Sequence, residues 1–308
     1  MARTLASSGT IVIFSTFTPG TNSYTITGST IEYNGTSAQT LPSSGFNTYN
    51  NLTINNAAGV TNSNSALTVN GLLDLKKGTF TTSSTFNNVQ IDNAGPGVLA
   101  GVNGTTMNVS GNWTNNGGSA TSFMANGNTV NFNGAGAQTI GGNTSTTFDN
   151  LTIANAGVGV TLGINTSVNG TLTLTNNLNT GAFTLTQNNS TPTAGSGDVI
   201  GNVKRANNGL PLPTGAAYTF GNPFNVITFS AASVLTPTDV TFNLVTAAPS
   251  DFLTGGEANL HHHAKQRRGV CGDLAIALSG RGFEWQCGRQ LEALAQAGRH
   301  LGESRCAA

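Results

Sequence analysis

The side chains best suited to metal or nucleophile chemistry are four histidines and three cysteines, and all of them lie after residue 256. His261, His262 and His263 form a triplet upstream of Cys271, the residue types of a zinc site. Their spacing is wrong for one. Cys271 and Cys287 form no CxxC, no HxxxH pair exists, and three adjacent histidines cannot all face one ion on a regular element. With His300 and Cys306 included, no metal site is expected. These cysteines also say nothing about the redox compartment of the preceding residues.

Carboxylates come next, because sugar cleavage needs two of them, or a base with a metal, on one face. The first 256 residues hold Glu32, Asp74, Asp92, Asp149, Asp198, Asp239 and Asp251. Asp92 and Asp149 both sit near NNLTI-like motifs and could project from a similar side. However, Asp149 stands where another copy has Asn50, and Asp92 aligns with Asn55. They occupy different motif positions and read as Asn-to-Asp exchanges. Serines are plentiful, but no histidine precedes residue 256 to activate one. Gly134-Ala135-Gly136 lacks the rest of a phosphate-loop fingerprint. Trp113 could stack on a sugar, yet alternation places it inward, in the core. Thr171, Thr173 and Thr175, then Thr184 and Thr186, have the alternation of an ice-binding face, but the columns do not persist across repeats. The many Asn-x-Ser/Thr triplets follow from composition. The expectation is no catalytic, cofactor-binding or metal-ligating residue, no cofactor, and no enzyme.

What, then, would position such side chains? Only 8% of the 308 residues are charged, against roughly 25% in ordinary soluble domains. Polarity comes from Asn, Thr, Ser and Gln, with 40 glycines. No basic residue occurs between Lys77 and Lys204, which argues against nucleic acid as a partner, since phosphate binding needs clustered Lys and Arg. No apolar run reaches the length of a transmembrane helix. The opening MARTLASSGTIVIFSTFTPG makes a poor signal peptide, so either the true N-terminus lies upstream or export uses another route. Neighbouring domains of a longer chain are expected.

Internal repetition is the strongest signal. Thr30-Ile31-Glu32-Tyr33-Asn34-Gly35 returns as Thr129-Val130-Asn131-Phe132-Asn133-Gly134, each followed by Ala-Gln-Thr, at an offset of 99 residues. NNLTINNAAG (50–59) returns at the same offset as DNLTIANAGV (149–158), and NNVQIDNAGP (87–96) lies between them. Val-Asn-Gly-Leu-Leu (69–73) recurs as Val-Ser-Gly-Asn-Trp (109–113) and Val-Asn-Gly-Thr-Leu (168–172). A finer period of about 20 residues separates short clusters with apolar side chains at i and i+2, the mark of strands with one buried face. Hairpins of a sandwich repeat every 8 to 12 residues, whereas one coil of a parallel β-helix needs roughly 20, stacked about 4.8 Å from the next. The reading is an all-β chain: a parallel β-helix (β-solenoid) of about nine rungs over 1–197. The 99-residue unit corresponds to about five of those rungs. Proline is absent from 97 to 191, as continuous ladders require.

The phrases TVNFNGAGAQTIGG, FDNLTIANAG and VNGTLTLTNN resemble repeats of large bacterial secreted or cell-surface proteins of the adhesin-like β-helix kind, over about residues 25–195. The segment 198–230 resembles the non-solenoid stretch that often follows such repeats. The resemblance implies export and surface display, and it supplies no catalytic residue. The expected function is a non-enzymatic, extracellular structural or adhesive surface repeat protein. Alternatives are a carbohydrate-binding or carbohydrate-cleaving β-helix and, less favoured, an ice-binding one. The partner is an unknown surface or carbohydrate ligand.

Beyond 197 the grammar changes. Pro211, Pro213, Pro223, Pro237 and Pro249 appear, with strand-like runs at 217–220, 226–229 and 240–245, suggesting a small, incomplete β-sandwich-like module over 198–255. Residues 256–308 form an atypical charged tail. Either 286–301 is a helix with Leu291, Leu294 and Ala295 on one face, or the tail is an out-of-frame reading. The second is favoured, because synonymous codons from Glu257 onward, shifted by one base, permit a frame that resumes apolar alternation.

Overall fold

The computed structural model describes residues 3–5, 8–21, 24–64, 66–93, 95–230 and 236–245, with the backbone of 284–287 and 289–291. The chain winds as a parallel β-solenoid of about nine turns, and no helix occurs among the described residues. At about 4.8 Å per turn the stack is roughly 40 Å long.

Alternation in each cluster becomes an inward column once the strands stack in register. Ile11 pairs with Ile31, then Leu52, Leu73, Val89, Trp113, Ile140 and Leu162, one residue per coil. On a second side of the coil, Tyr49 leads to Val69, Phe86, Val109, Phe132, Ile153 and Leu174. From Ile31 and Tyr49 onward, both columns are buried. Each such side chain contributes roughly 1.5–3 kcal/mol relative to exposure. Because the period is two, a one-residue slip in any coil would turn its apolar set outward. The register is therefore fixed by the core.

The corners explain the third recurring word, Ala-Gln-Thr. Gln39 is buried, accepts from Gly35 N at 2.9 Å and donates to the carbonyls of Ile13 and Ser15. Its Oε1 also accepts from Asn56 Nδ2 at 2.8 Å. Gln138 repeats the arrangement: it accepts from Gly134 N and Asn155 Nδ2 and donates to the carbonyls of Val109 and Gly111. Each buried amide thus satisfies backbone groups that the bend removes from the ladder. Glycine is needed where coils touch. Gly142, at φ 115°, would place a Cβ 2.1 Å from the carbonyl oxygen of Asn115, so any side chain there would separate two rungs.

The 99-residue unit is not a whole number of coils. Four register steps carry Ile31 to Leu52, Leu73, Val89 and Trp113 on one side of the solenoid. The copy Thr129–Phe132 lies further round that last coil, on the side that carries Val109. The unit thus spans four coils and most of a fifth: the repeat encodes a strand and its corner, and the same words serve different sides.

The two ends differ. Val199–Ala206 still pairs in parallel with Leu178–Asn188, so the ladder continues past the composition change near 197. It stops where Asp239–Leu244 pairs antiparallel with the same strand. There Arg205 is fully buried, donating to the carbonyls of Thr219, Asn189 and Thr191 and to Thr219 Oγ1. Burial among neutral acceptors pulls its guanidinium down to about 9. Ala217–Thr219 and Asn225–Thr228 form an antiparallel pair, which the backbone of Glu284–Cys287 and Arg289–Leu291 extends. Those short strands stand where the sequence allowed a helix; an open sheet edge pairs readily with any extended segment. The frame of 256–308 otherwise lies outside the described residues. At the other end Thr10–Ile13 pairs only with Thr30–Tyr33 among the described residues. A cleft of about 330 Å³ opens beside it, lined by Leu5, Ile11, Phe17 and Tyr24.

Candidate functional site

Outward positions decide what the solenoid offers to a partner, and two of its sides differ sharply. On the side of Ile31 and Leu52, one outward row reads Glu32, Thr53, Asp74, Gln90 and Thr114 in consecutive coils. This charged face concentrates Glu32, Asp74, Lys76, Lys77 and Asp92 in a few coils. An irregularity after Ile54 pairs Asn55 with Lys77, leaving Lys76 as the extra residue of a bulge. A bulge re-aims a side chain, and Lys76 Nζ comes to 3.5 Å from Asp74 Oδ2.

Asp74 is the most perturbed carboxylate. It is 8% exposed, and its Oδ1 has no donor partner. Burial, then the neighbouring Asp92 carboxylate, push its carboxyl up to about 6, against the pull of Lys76. Asp92 is held by Gln90, whose Nε2 donates to Oδ1 at 3.0 Å. Glu32 accepts from Asn34 Nδ2 at 3.1 Å and from Asn55 Nδ2 at 2.8 Å. Two carboxyls and an amine in contact could share a proton. A general acid must however reach the leaving oxygen of its substrate, and Asp74 is enclosed between neighbouring rungs. The arrangement holds charge within the wall of the solenoid.

The residues singled out by spacing fall elsewhere. Asp92 meets Asp74 and not Asp149; Asp149 accepts from Gly127 N at a turn. Asp198 accepts from Asn222 Nδ2 at 2.9 Å, and Asp239 pairs with Lys204 at 3.5 Å. Gly134 belongs to the Gln138 corner, where an added Cβ would lie 2.2 Å from Ser110 O. Trp113 is fully buried against Phe123 and Phe148, and its Nε1 donates to Thr146 Oγ1 at 3.1 Å. No sugar can reach it. His261, His262, His263, His300, Cys271, Cys306 and Asp251 lie outside the described residues, as does the Cys287 side chain. Among the described residues no three His, Cys, Asp or Glu side chains group as metal ligands.

Threonine does not fill whole columns, as expected, but the columns persist as neutral rows of threonine and asparagine. Thr48, Thr68, Thr85, Asn108, Asn131, Thr152 and Thr173 form one outward column across consecutive coils. Unequal linear spacing hid these columns, because coils differ in length and asparagine replaces threonine in two successive coils. Thr184 and Thr186 lie on another side, where Thr186 pairs with Ser167. This neutral face carries no charged side chain in the column. Asn131 Nδ2 donates to Asn108 Oδ1 at 2.9 Å, a rung-to-rung amide ladder.

The Asp74–Asp92 contact was missed in the sequence, since the lysine bulge between them is invisible to spacing. Only the stacking of Gln90 on Asp74 reveals it.

Comparisons with protein-family models, with curated proteins and with solved structures find no match. The fold itself defines the class: a repetitive, all-parallel β-solenoid closed at one end by an antiparallel strand. Among the described residues no helix is long and apolar enough to cross a membrane.

Proposed function

We propose that the chain is a non-enzymatic structural and adhesive repeat protein, exported and displayed at a cell surface. The observation that carries this reading is the uninterrupted parallel ladder from Thr10 to Ala206, whose side chains are committed to packing and whose outer positions on one side are uncharged. A solenoid of this kind presents an extended surface and holds it rigidly. The carboxylates Asp74, Asp92 and Glu32 are engaged by Lys76, Gln90, Asn34 and Asn55. The adhesin-like wording of the repeats adds export and display.

The full chain, purified and presented to glycan-coated and mineral surfaces, should be retained under flow without releasing reducing sugar. Antibodies against the neutral face should label intact, unpermeabilised source cells. Reproducible sugar release that disappears with Asp74→Asn would contradict the reading and favour the carbohydrate-cleaving one.

A further inference from the structure

The neutral face is ordered in two dimensions. Over four successive coils one outward column holds Thr106, Thr129, Asn150 and Thr171, and the next holds Asn108, Asn131, Thr152 and Thr173. A third continues as Ser110, Asn133, Ala154 and Thr175, each joined to the coil below by a backbone hydrogen bond. Neighbours across coils stand about 4.8 Å apart, and neighbours along a strand roughly 6.7 Å apart, two residues of rise. The inward residues between them, from Met107 and Val109 to Leu172 and Leu174, are buried, so the core fixes the grid. Among the described residues, the hydroxyls of Thr129, Thr152, Thr171, Thr173 and Thr175 make no hydrogen bond within the protein.

We infer that this face adsorbs to ice. A partner able to engage the whole grid must be uncharged, flat, regular in both directions, and built of hydroxyl-type donors and acceptors. No charged side chain stands in the grid to favour an ionic surface. No aromatic ring stands there for a sugar to stack on, since Phe132 and Trp113 are buried. A single flexible glycan strand would meet one column and leave the others unused. The free hydroxyls hold first-shell water at the spacing of the rungs, while threonine methyls and Ala154 leave few alternative sites for it. Water so positioned before contact loses little further entropy when it joins a lattice.

This names the partner of the adhesive solenoid and rests on that reading. The test uses the full chain in slowly growing ice, with partition between ice and liquid as the readout, beside thermal hysteresis. Thr152→Tyr raises a ring in the middle of the grid; Thr114→Tyr places the same ring on the charged face. Both residues point outward, and circular dichroism with a thermal midpoint confirms that each variant folds. The wild type and T114Y should enrich in ice and T152Y should lose that enrichment. Enrichment no greater than that of a non-binding control protein, or equal loss in both variants, overturns the inference. So does binding to crystalline chitin or cellulose without enrichment in ice. Retention on other surfaces alone removes this inference and leaves the adhesive solenoid standing.

Discussion

The charged face, from Glu32 to Asp92, and the neutral grid, from Thr106 to Thr175, share one core along the solenoid, yet they handle stacking in opposite ways. On the neutral face an asparagine above another gains a hydrogen bond, as Asn131 does on Asn108. On the charged face Asp74 stacks on Gln90 with Asp92 beside it diagonally, and burial first, then that neighbour, raise the Asp74 carboxyl toward neutrality. Parallel stacking brings equivalent positions to within about 4.8 Å. Neutral amides and hydroxyls tolerate that repetition and carboxylates do not. This accounts for the composition: charge is scarce because a solenoid repeats every local choice along its axis. At Asp74, where charge is kept within the wall, a bulged lysine accompanies it.

The largest test removes what the faces share. Trp113→Ala opens the shared core and leaves Thr146 Oγ1 with Asn115 Nδ2 as its remaining donor. It should cost about 3–5 kcal/mol of stability by chemical denaturation. Both faces should lose protection together in hydrogen exchange.

A smaller change moves the charged pattern onto the neutral face. Asn108→Asp with Asn131→Asp places two carboxylates directly above one another, without a lysine. The amide ladder is lost and like charges adjoin, for an expected loss of about 1–3 kcal/mol at neutral pH. The deficit should shrink as pH falls and one carboxyl takes a proton. A loss that is independent of pH would place the cost in packing.

Asp74→Asn makes the reverse exchange. The folded-state pKa of Asp74, about 6, lies above its ordinary 3.8, so the folded state binds the proton more tightly. Stability from this group therefore grows as pH falls through 6 toward 3.8, and is lost as pH rises through 6. Asp92, Lys76 and Gln90 face it and set the size of the effect. Asn should stabilise the protein by about 1 kcal/mol at pH 7.5, after allowance for solvent screening. It should also flatten the pH profile of the thermal midpoint between 4 and 7. The smallest effect is expected for Thr152→Val, within about 0.5 kcal/mol, because its hydroxyl has no partner to lose.

The fold was legible because its rule is local. Alternation at Ile31 and Tyr33 or Val130 and Phe132 marks an inward face, and a spacing near 20 residues marks a coil. Which residues meet across coils was less legible, because coil length varies and bulges absorb residues. Asp92 was compared with Asp149 through shared wording, yet it lies beside Asp74, whose wording differs. The column of threonine and asparagine was missed for the same cause: Thr85 and Asn108 are neighbours although unequal turns separate their motifs. Wording follows the strand and its corner, as Gln39 and Gln138 show, while contact follows the coil.

The parallel register is the claim on which both faces depend, and one distance tests it. Spin labels at Thr68→Cys and Thr173→Cys, with the three native cysteines replaced by serine, sit in one column five rungs apart. The stack predicts a narrow distribution near 24 Å, widened only by the label linkers. A broad distribution, or a narrow one far from that value, would contradict the solenoid register and with it the separation of charged and neutral faces.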